Sequence, residues 1–321
     1  LPATLYRKYL RMGNRQQHNL SFRGGSEYTQ YYISTSYHDV HGIAKNDNFS
    51  RLNLRINVES NLADWLTIGT KTLLGQYDRS GVDANFYNAF KMNPLLKAYN
   101  EDGSLKLYPW PEDSYFTNPL EPLNYENTNI SRKLITNNYL KVDLPLNGLS
   151  YEARVGYTYR NGLSENYHGR DTQDGLEERG ISSVVNNYSQ DWIFENILKY
   201  QQTFNRHKIS FTGLYSAQQI TNKGHNIYAS GFPNDIRTVY QSGTGTVINP
   251  SSSYSQRSYL SQMGRINYSF DSRYLLTLTA RRDGYSAFGD NNKFGVFPSA
   301  ALGWNLHNER FMENVDWLSQ M

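Results

Sequence analysis

The stretch RLNLRINVES, Arg51 to Ser60, fixes the backbone geometry of this chain. Leu52, Leu54, Ile56 and Val58 fall on one side, and Arg51, Asn53, Arg55, Asn57 and Glu59 on the other. Side chains alternate between the faces of a strand, whereas a helix would scatter these ten residues around its axis. The pattern recurs in YLKVDL, where Leu140, Val142 and Leu144 oppose Lys141 and Asp143, and in GRINYSF, where Ile266, Tyr268 and Phe270 oppose Arg265, Asn267 and Ser269. KISFTGLYSAQQ sets Ile209, Phe211, Tyr215 and Ala217 against Ser210, Thr212, Ser216 and Gln218, with Leu214 as an apolar exception on the polar side.

Extended along the chain, the alternation predicts eleven strands: 18–24, 28–38, 49–60, 64–77, 134–146, 148–161, 188–203, 206–220, 254–270, 273–285 and 295–306. Most are longer than the ~5–6 residues common in soluble sheets and match the ~9–11 residues that a tilted strand needs to cross a bilayer. Short turns (RGGSEY, SNLADW, LPLNGLS, FNRHK, FDSRY) alternate with long links near 39–48, 78–133, 162–187, 221–253 and 286–294. The expected fold is therefore all-β: an antiparallel transmembrane β-barrel with long extracellular loops at one end and short periplasmic turns at the other. Trp65, Tyr151, Tyr200, Phe204, Phe270 and Tyr274 sit beside the short turns, as an interfacial aromatic girdle requires.

Composition agrees. The mean hydropathy is negative, yet the chain holds 27 Tyr, 14 Phe and 5 Trp, as strands with lipid on one face and water on the other do. The 32 basic and 29 acidic residues are dispersed, so the basic stripe of a nucleic-acid-binding protein is missing. Cysteine is absent, which excludes disulfides, thiolate metal sites and thiol catalysis. The chain opens on LPATLYRKYLRMG without a signal-peptide pattern and reads as an internal piece of a longer polypeptide. Residues 1–17 are expected as an extracellular loop remnant, 18–306 as the partial barrel, and 307–321 as a periplasmic turn leading onward.

Catalytic and cofactor motifs do not emerge. GTGTVI from Gly243 lacks the third glycine and the helix of a phosphate-binding loop. His38 and His41 have no evident third ligand, and GDNN (Gly289–Asn292) and NEDG (Asn100–Gly103) read as turns rather than calcium loops. No cofactor and no enzymatic activity are expected. The long link does carry candidates: Tyr87, Tyr108, Trp110, Tyr115 and Phe116 alternate with Asn, Asp and Glu, a mixture suited to a substrate or a protein partner. The other reading is a loop that packs its own rings into a satellite core. On the inward face, Arg51, Arg55, Lys71, Lys141, Arg265 and Arg281, with Asp143, Arg154, Glu195 and Lys199, are expected to hydrate a lumen.

Three blocks resemble the SusC/RagA-type TonB-dependent outer-membrane transporters: HNLSFRGGSEYTQYYISTSYHDVHGI, FSRLNLRINVESNLADWLTIG, and the run from Arg265 to Met312. The last is the most distinctive, through Arg282-Asp283-Gly284, Phe288-Gly289, Asn291-Asn292, Phe297-Pro298-Ser299 and Gly303-Trp304. The resemblance implies a 22-stranded barrel in the outer membrane of a Gram-negative bacterium, of which this chain is about half, filled by an N-terminal plug. It also implies a SusD-like surface lipoprotein as lid, import driven by TonB-ExbB-ExbD, contact with outer-membrane lipid, and oligosaccharides or peptides as substrates. A barrel adhesin or surface glycan-binding module without transport is the alternative. Within the distinctive block, SAFGDNNKF reads as a hairpin tip, and Phe297-Pro298 suggests a bulge or lost pairing, because proline lacks a ladder donor.

Overall fold

The computed structural model describes residues 10–82, 86–93, 95–110, 112 and 115–312. Eleven strands form one antiparallel sheet in chain order. They are β1 (Asn14–Gly25), β2 (Thr29–His41), β3 (Asn48–Ala63), β4 (Leu66–Asp78), β5 (Glu126–Asp143), β6 (Leu149–His168), β7 (Ile181–Phe204), β8 (His207–Ser230), β9 (Val247–Phe270), β10 (Tyr274–Tyr285) and β11 (Phe294–Trp304). Because every strand pairs with its chain neighbours, all odd-numbered connections lie at one end and all even-numbered ones at the other. The first set is short, with Asn205, Asp271, Ser272 and Gly148 at positive φ, the backbone that tight turns demand. A Cβ on Gly148 would strike the Gln201 carbonyl, so glycine is required there.

Cross-strand register explains the alternation. Directly paired residues share a face, so one rung runs Gln30, Glu59, Gly69, Tyr139, Arg154, Glu195, Ser216, Ser261, Asp283 and Gly295. A rung of the opposite face reads Leu54, Leu74, Leu134 and Tyr159. On that apolar face Leu52, Ile68, Leu140, Val155, Phe194, Ile266, Leu278 and Leu302 are exposed, Leu302 at 85%. Contiguous apolar exposure on this scale needs a nonaqueous neighbour, and a hydrocarbon layer provides it. Among the described residues no helix is long and apolar enough to cross a membrane.

Strand number, order and faces agree with the alternation, but the ends at the long-loop side differ. β5 starts at Glu126 rather than 134, β6 runs to His168 rather than 161, β7 starts at Ile181, β8 runs to Ser230 and β9 starts at Val247. β7, β8 and β9 each hold 24 residues, about 80 Å at ~3.3 Å per residue. They extend well past any bilayer, and the long links shrink to 42–47, 79–125, 169–180, 231–246 and 286–293. β1 likewise begins at Asn14, ahead of the expected 18. Of the expected flanking segments, residues 1–9 and 313–321 lie outside the described residues.

The bulge expected at Pro298 does not form: β10 and β11 stay in register from Tyr274–Trp304 to Gly284–Phe294. The bonds from the Tyr285 amide to Lys293 and from the Asn305 amide to Arg273 make odd-numbered pairs of this ladder the hydrogen-bonded ones. Pro298, opposite Ala280, therefore turns its nitrogen away from β10. Its missing donor faces the open edge, where proline is tolerated.

Candidate functional site

Dry packing is concentrated at the long-loop end. Ala44, Met92, Ala98 and Leu120 form one small core, flanked by Leu96, Tyr99, Leu105, Phe116 and Leu123. It ties the β4–β5 link, with helix α1 (Phe86–Lys91), to the β2–β3 link. Asn118, fully buried, holds that link together by donating to the Ala98 and Lys106 carbonyls at 2.8 and 2.9 Å. A second core gathers Tyr167, Ala229, Phe232 and Val239 at the tips of β6 and β8 and the link that follows.

This second core is stitched by polar groups. The Tyr167 hydroxyl donates to Asp235 at 2.7 Å, Arg170 pairs with Asp235 at 2.6 Å, and Arg170 also donates to the Phe232 carbonyl. Burial pushes the Asp235 carboxyl up. The Tyr167 hydroxyl and the Arg170 amide and guanidinium outweigh it and hold the group below the usual carboxylate range. Helix α2 (Gln173–Glu178) begins on Thr172, whose hydroxyl accepts from the Gly175 amide at 3.1 Å.

The two cores are joined. Buried Glu121 accepts from the Tyr125 hydroxyl at 3.1 Å and the Gln173 amide at 2.5 Å. Tyr125 stacks on His168 with ring centroids 4.1 Å apart, and Asn124 donates to Asp171 at 2.7 Å. Burial first, then the charge of Glu121, pushes the Tyr125 hydroxyl far above its ordinary value. The long β4–β5 link is thus pinned onto the β6–β7 connection.

The five aromatic candidates of the long link divide between these surroundings. Phe116 packs against the first core, so the satellite-core reading holds for it. Tyr87 and Tyr115 are exposed, at 60% and 81%. Lys91 draws three of the rings together: it lies 4.0 Å from the Tyr87 ring and 5.5 Å from that of Phe116, while Tyr115 meets Phe116 edge-on. Trp110 is half-buried. Tyr108 is half-buried as well, and burial and the charges of Glu177 and Glu121 push its hydroxyl up.

Register places Arg51, Arg55, Lys71, Lys141, Asp143, Arg154, Glu195, Lys199, Arg265 and Arg281 on the polar face. Lys71, Lys141, Arg154, Glu59, Glu152 and Glu195 border a hollow of about 740 Å³. Glu152 sits between Arg154 at 2.6 Å and Lys199 at 3.1 Å, and Lys141 lies 3.9 Å from Asp143. Arg265 donates to Thr279 at 3.1 Å, and Arg281 pairs with Asp283 at 2.7 Å. Arg55 is exposed, while the Arg51 Nε is buried without a hydrogen-bond partner. Leu214, the sequence exception, pairs with Ile197 and Met263 to make an apolar island on this face.

The distinctive block near the C-terminal end is architecture. Arg281 and Asp283 pair on the polar face, while Arg282 lies 4.0 Å over the Phe294 ring on the other. Gly284 is buried beneath Phe294, and a Cβ there would collide with that ring. Phe288 meets Tyr285 edge-on, Tyr285 stacks on Tyr259 at 4.7 Å, and Gly289 accepts from the Asn292 amide. Asp290 of the GDNN turn pairs with Lys293 at 3.2 Å. Phe297 covers Gly295, Ser299 pairs with Thr279, and Gly303 packs on Leu275. Trp304 closes an aromatic row, His207–Phe270–Tyr274–Trp304, beside the short turns and donates to Glu309 at 3.0 Å.

Among the described residues no group of three or more His, Cys, Asp or Glu is placed to hold a metal ion. Sequence reasoning missed Glu121, His168, Tyr167, Arg170 and Asp235. None of them forms a short-range motif; only the tertiary fold unites them.

No protein-family profile matches the chain. It is 29% identical over 322 residues to TonB-dependent receptor P3 of Formosa agariphila, covering 96% of this chain and 32% of that protein. It is 27% identical over 344 residues to TonB-dependent receptor SusC of Bacteroides thetaiotaomicron, covering 95% and 32%. These relatives are named as receptors, not enzymes. Among solved structures, the RagAB peptide transporter superposes with a TM-score of 0.73 at 24% identity, over 97% of this chain and 36% of that one. BauA, the ferric preacinetobactin receptor from Acinetobacter baumannii, shares the fold at a TM-score of 0.51 and 12% identity, over 90% and 42%. The chain spans about a third of the length of the curated relatives it matches.

Proposed function

Since the chain is a stretch of barrel of the SusC/RagA-type TonB-dependent receptors, we propose that the whole protein imports oligosaccharides or peptides across the outer membrane of a Gram-negative bacterium. One observation carries the proposal. A sheet with an exposed apolar face and a polar face gathers every long link, and both dry cores, at a single end. Such a wall separates lipid from an aqueous path and presents an organised surface to the outside.

On this reading residues 18–306 belong to the barrel, with 1–17 at the extracellular side and 307–321 at the periplasmic side. The polar face, with Arg51, Arg55, Lys71, Lys141, Arg265 and Arg281, lines the lumen. Tyr87, Tyr108, Trp110 and Tyr115 meet the substrate or a SusD-like lipoprotein lid, while Phe116 anchors their link to the first core, and energy arrives through TonB-ExbB-ExbD. The solved neighbour named as a peptide transporter supports the peptide class, and the oligosaccharide class follows from the resemblance to the SusC/RagA-type transporters.

The test is uptake of defined glycans and peptides by a strain lacking the whole gene, with and without complementation. Loss of import of at least one class, restored by the intact gene, supports the reading. Unchanged import of every substrate sinks it, and lost surface adhesion instead would identify a binding module.

A further inference from the structure

We propose that Arg79, Lys133 and Arg160 form a subsite for an acidic oligosaccharide, one bearing carboxylates or sulfate esters, on the polar face toward the long-loop end. This deepens the import reading and rests on it only for placing the subsite in the substrate's path.

Lys133 and Arg160 are direct cross-strand partners on β5 and β6, and like charges so placed repel. Arg79 continues the same face beyond β4, its amide bonded to the Asn129 carbonyl at 2.8 Å. Its guanidinium lies 5.9 Å from both the Phe49 and Tyr77 rings. Ring faces hold the cation without occupying its N–H donors.

Elsewhere on the same face several cations are neutralised: Arg154 and Lys199 share Glu152, Lys141 faces Asp143, and Arg281 has Asp283. Arg79, Lys133 and Arg160 enter no ion pair among the described residues. They border a hollow of about 530 Å³ whose lining contains no carboxylate, a volume in the ~300–1,000 Å³ range of ligand pockets. Its floor is open at Gly162, where a Cβ would meet nothing within 4 Å.

Three uncompensated cations around one hollow call for an anion, and arginine forks suit carboxylate and sulfate oxygens. Besides two further cations, Arg132 and Lys223, and the Tyr77 and Tyr188 rings, the remaining lining is short amides and hydroxyls, among them Asn187, Asn222 and Ser253. Those groups match the hydroxyls of a sugar better than the side chains of a peptide.

The experiment uses the full-length protein in detergent micelles and calorimetric titration at low and high salt. The probes are tetragalacturonate, a sulfated carrageenan tetrasaccharide, the carboxyl-reduced neutral tetragalactoside and tetraglutamate. At least one acidic sugar is expected to bind, tenfold or more weaker in Lys133→Gln/Arg160→Gln and weaker at high salt. Neutral sugar binding should be the same in both proteins. Heat-modifiable gel mobility verifies that the variant is folded, and the single variant Lys133→Gln, with a smaller loss, serves if the double one is not. Binding of neither acidic sugar, equal affinity for the neutral sugar, or no loss in the folded variant overturns the proposal. Equal binding of tetraglutamate overturns its glycan half. An acidic sugar that binds as expected but is never imported leaves the subsite standing and removes the transport reading. Import without charge preference does the reverse.

Discussion

At the short-turn end the sheet turns its apolar side chains outward, whereas at the long-loop end they fold inward into two small cores. Of the nine buried hydrophobic residues described, eight belong to those cores and only Ile197 lies elsewhere in the wall. One polypeptide therefore answers to two solvents. The wall is completed by lipid, while the loops meet water and must bury their own apolar surface as a soluble domain does.

The largest effect that separates the two regions is expected in the loop core. Phe232, 1% exposed between Tyr167 and Ala229, should lose about 3–5 kcal/mol of local stability as Phe232→Ala. Hydrogen exchange should show amides of 169–180 and 231–246 losing protection while β1–β4 keep theirs. A global loss would show that the ends are not independent.

Next comes the wall. Leu278→Arg, on the apolar face, should cost about 2–4 kcal/mol of folding into bilayers, and Ala301→Arg, on the polar face of neighbouring β11 opposite Thr277, close to none. Equal costs measured by denaturant titration in vesicles would break the assignment of faces.

Acid probes the stitching. The Asp235 carboxyl lies below its ordinary value, so its contribution is complete above the unfolded value of about 4 and fades as pH falls through the lower folded value. Proteolysis of the 231–246 link should accelerate there, and Asp235→Asn should make the link protease-sensitive already at neutral pH. The cap is a smaller matter: Thr172→Ala should remove about 1 kcal/mol from α2. Smallest is Arg282→Gln, which forfeits its contact with Phe294, about 0.5–1 kcal/mol, read as a modest shift in the thermal transition.

The same division explains what could be read from sequence. Strands were legible wherever one face meets lipid and the other water, as in Arg51–Ser60, because that contrast writes a period of two. Beyond the bilayer, segments such as ISSVVNNY in β7 or TNKGHNIYAS in β8 have polar groups on both faces. The ladder continues there on backbone hydrogen bonds alone and leaves no period to detect. The loop cores were hidden for another reason: Glu121 and Gln173, or Tyr167 and Asp235, are far apart in sequence. Only the positions of the strand tips bring them together. The polar-face charges were legible one at a time, but the cross-strand pairing of Lys133 with Arg160 depends on register, which alternation does not fix.

Pro298 offers any strand that docks along β11 a place where no amide reaches across. The carbonyl opposite it would stand within the hydrocarbon layer, where an unmet acceptor costs several kcal/mol. The docking strand must answer with a hydroxyl or amide of its own, or buckle locally. Edge pairing is thereby tuned against indiscriminate partners: a passing strand of another molecule, lacking that answer, would be turned away at one point of the seam. Proline here acts as a password for closing the wall.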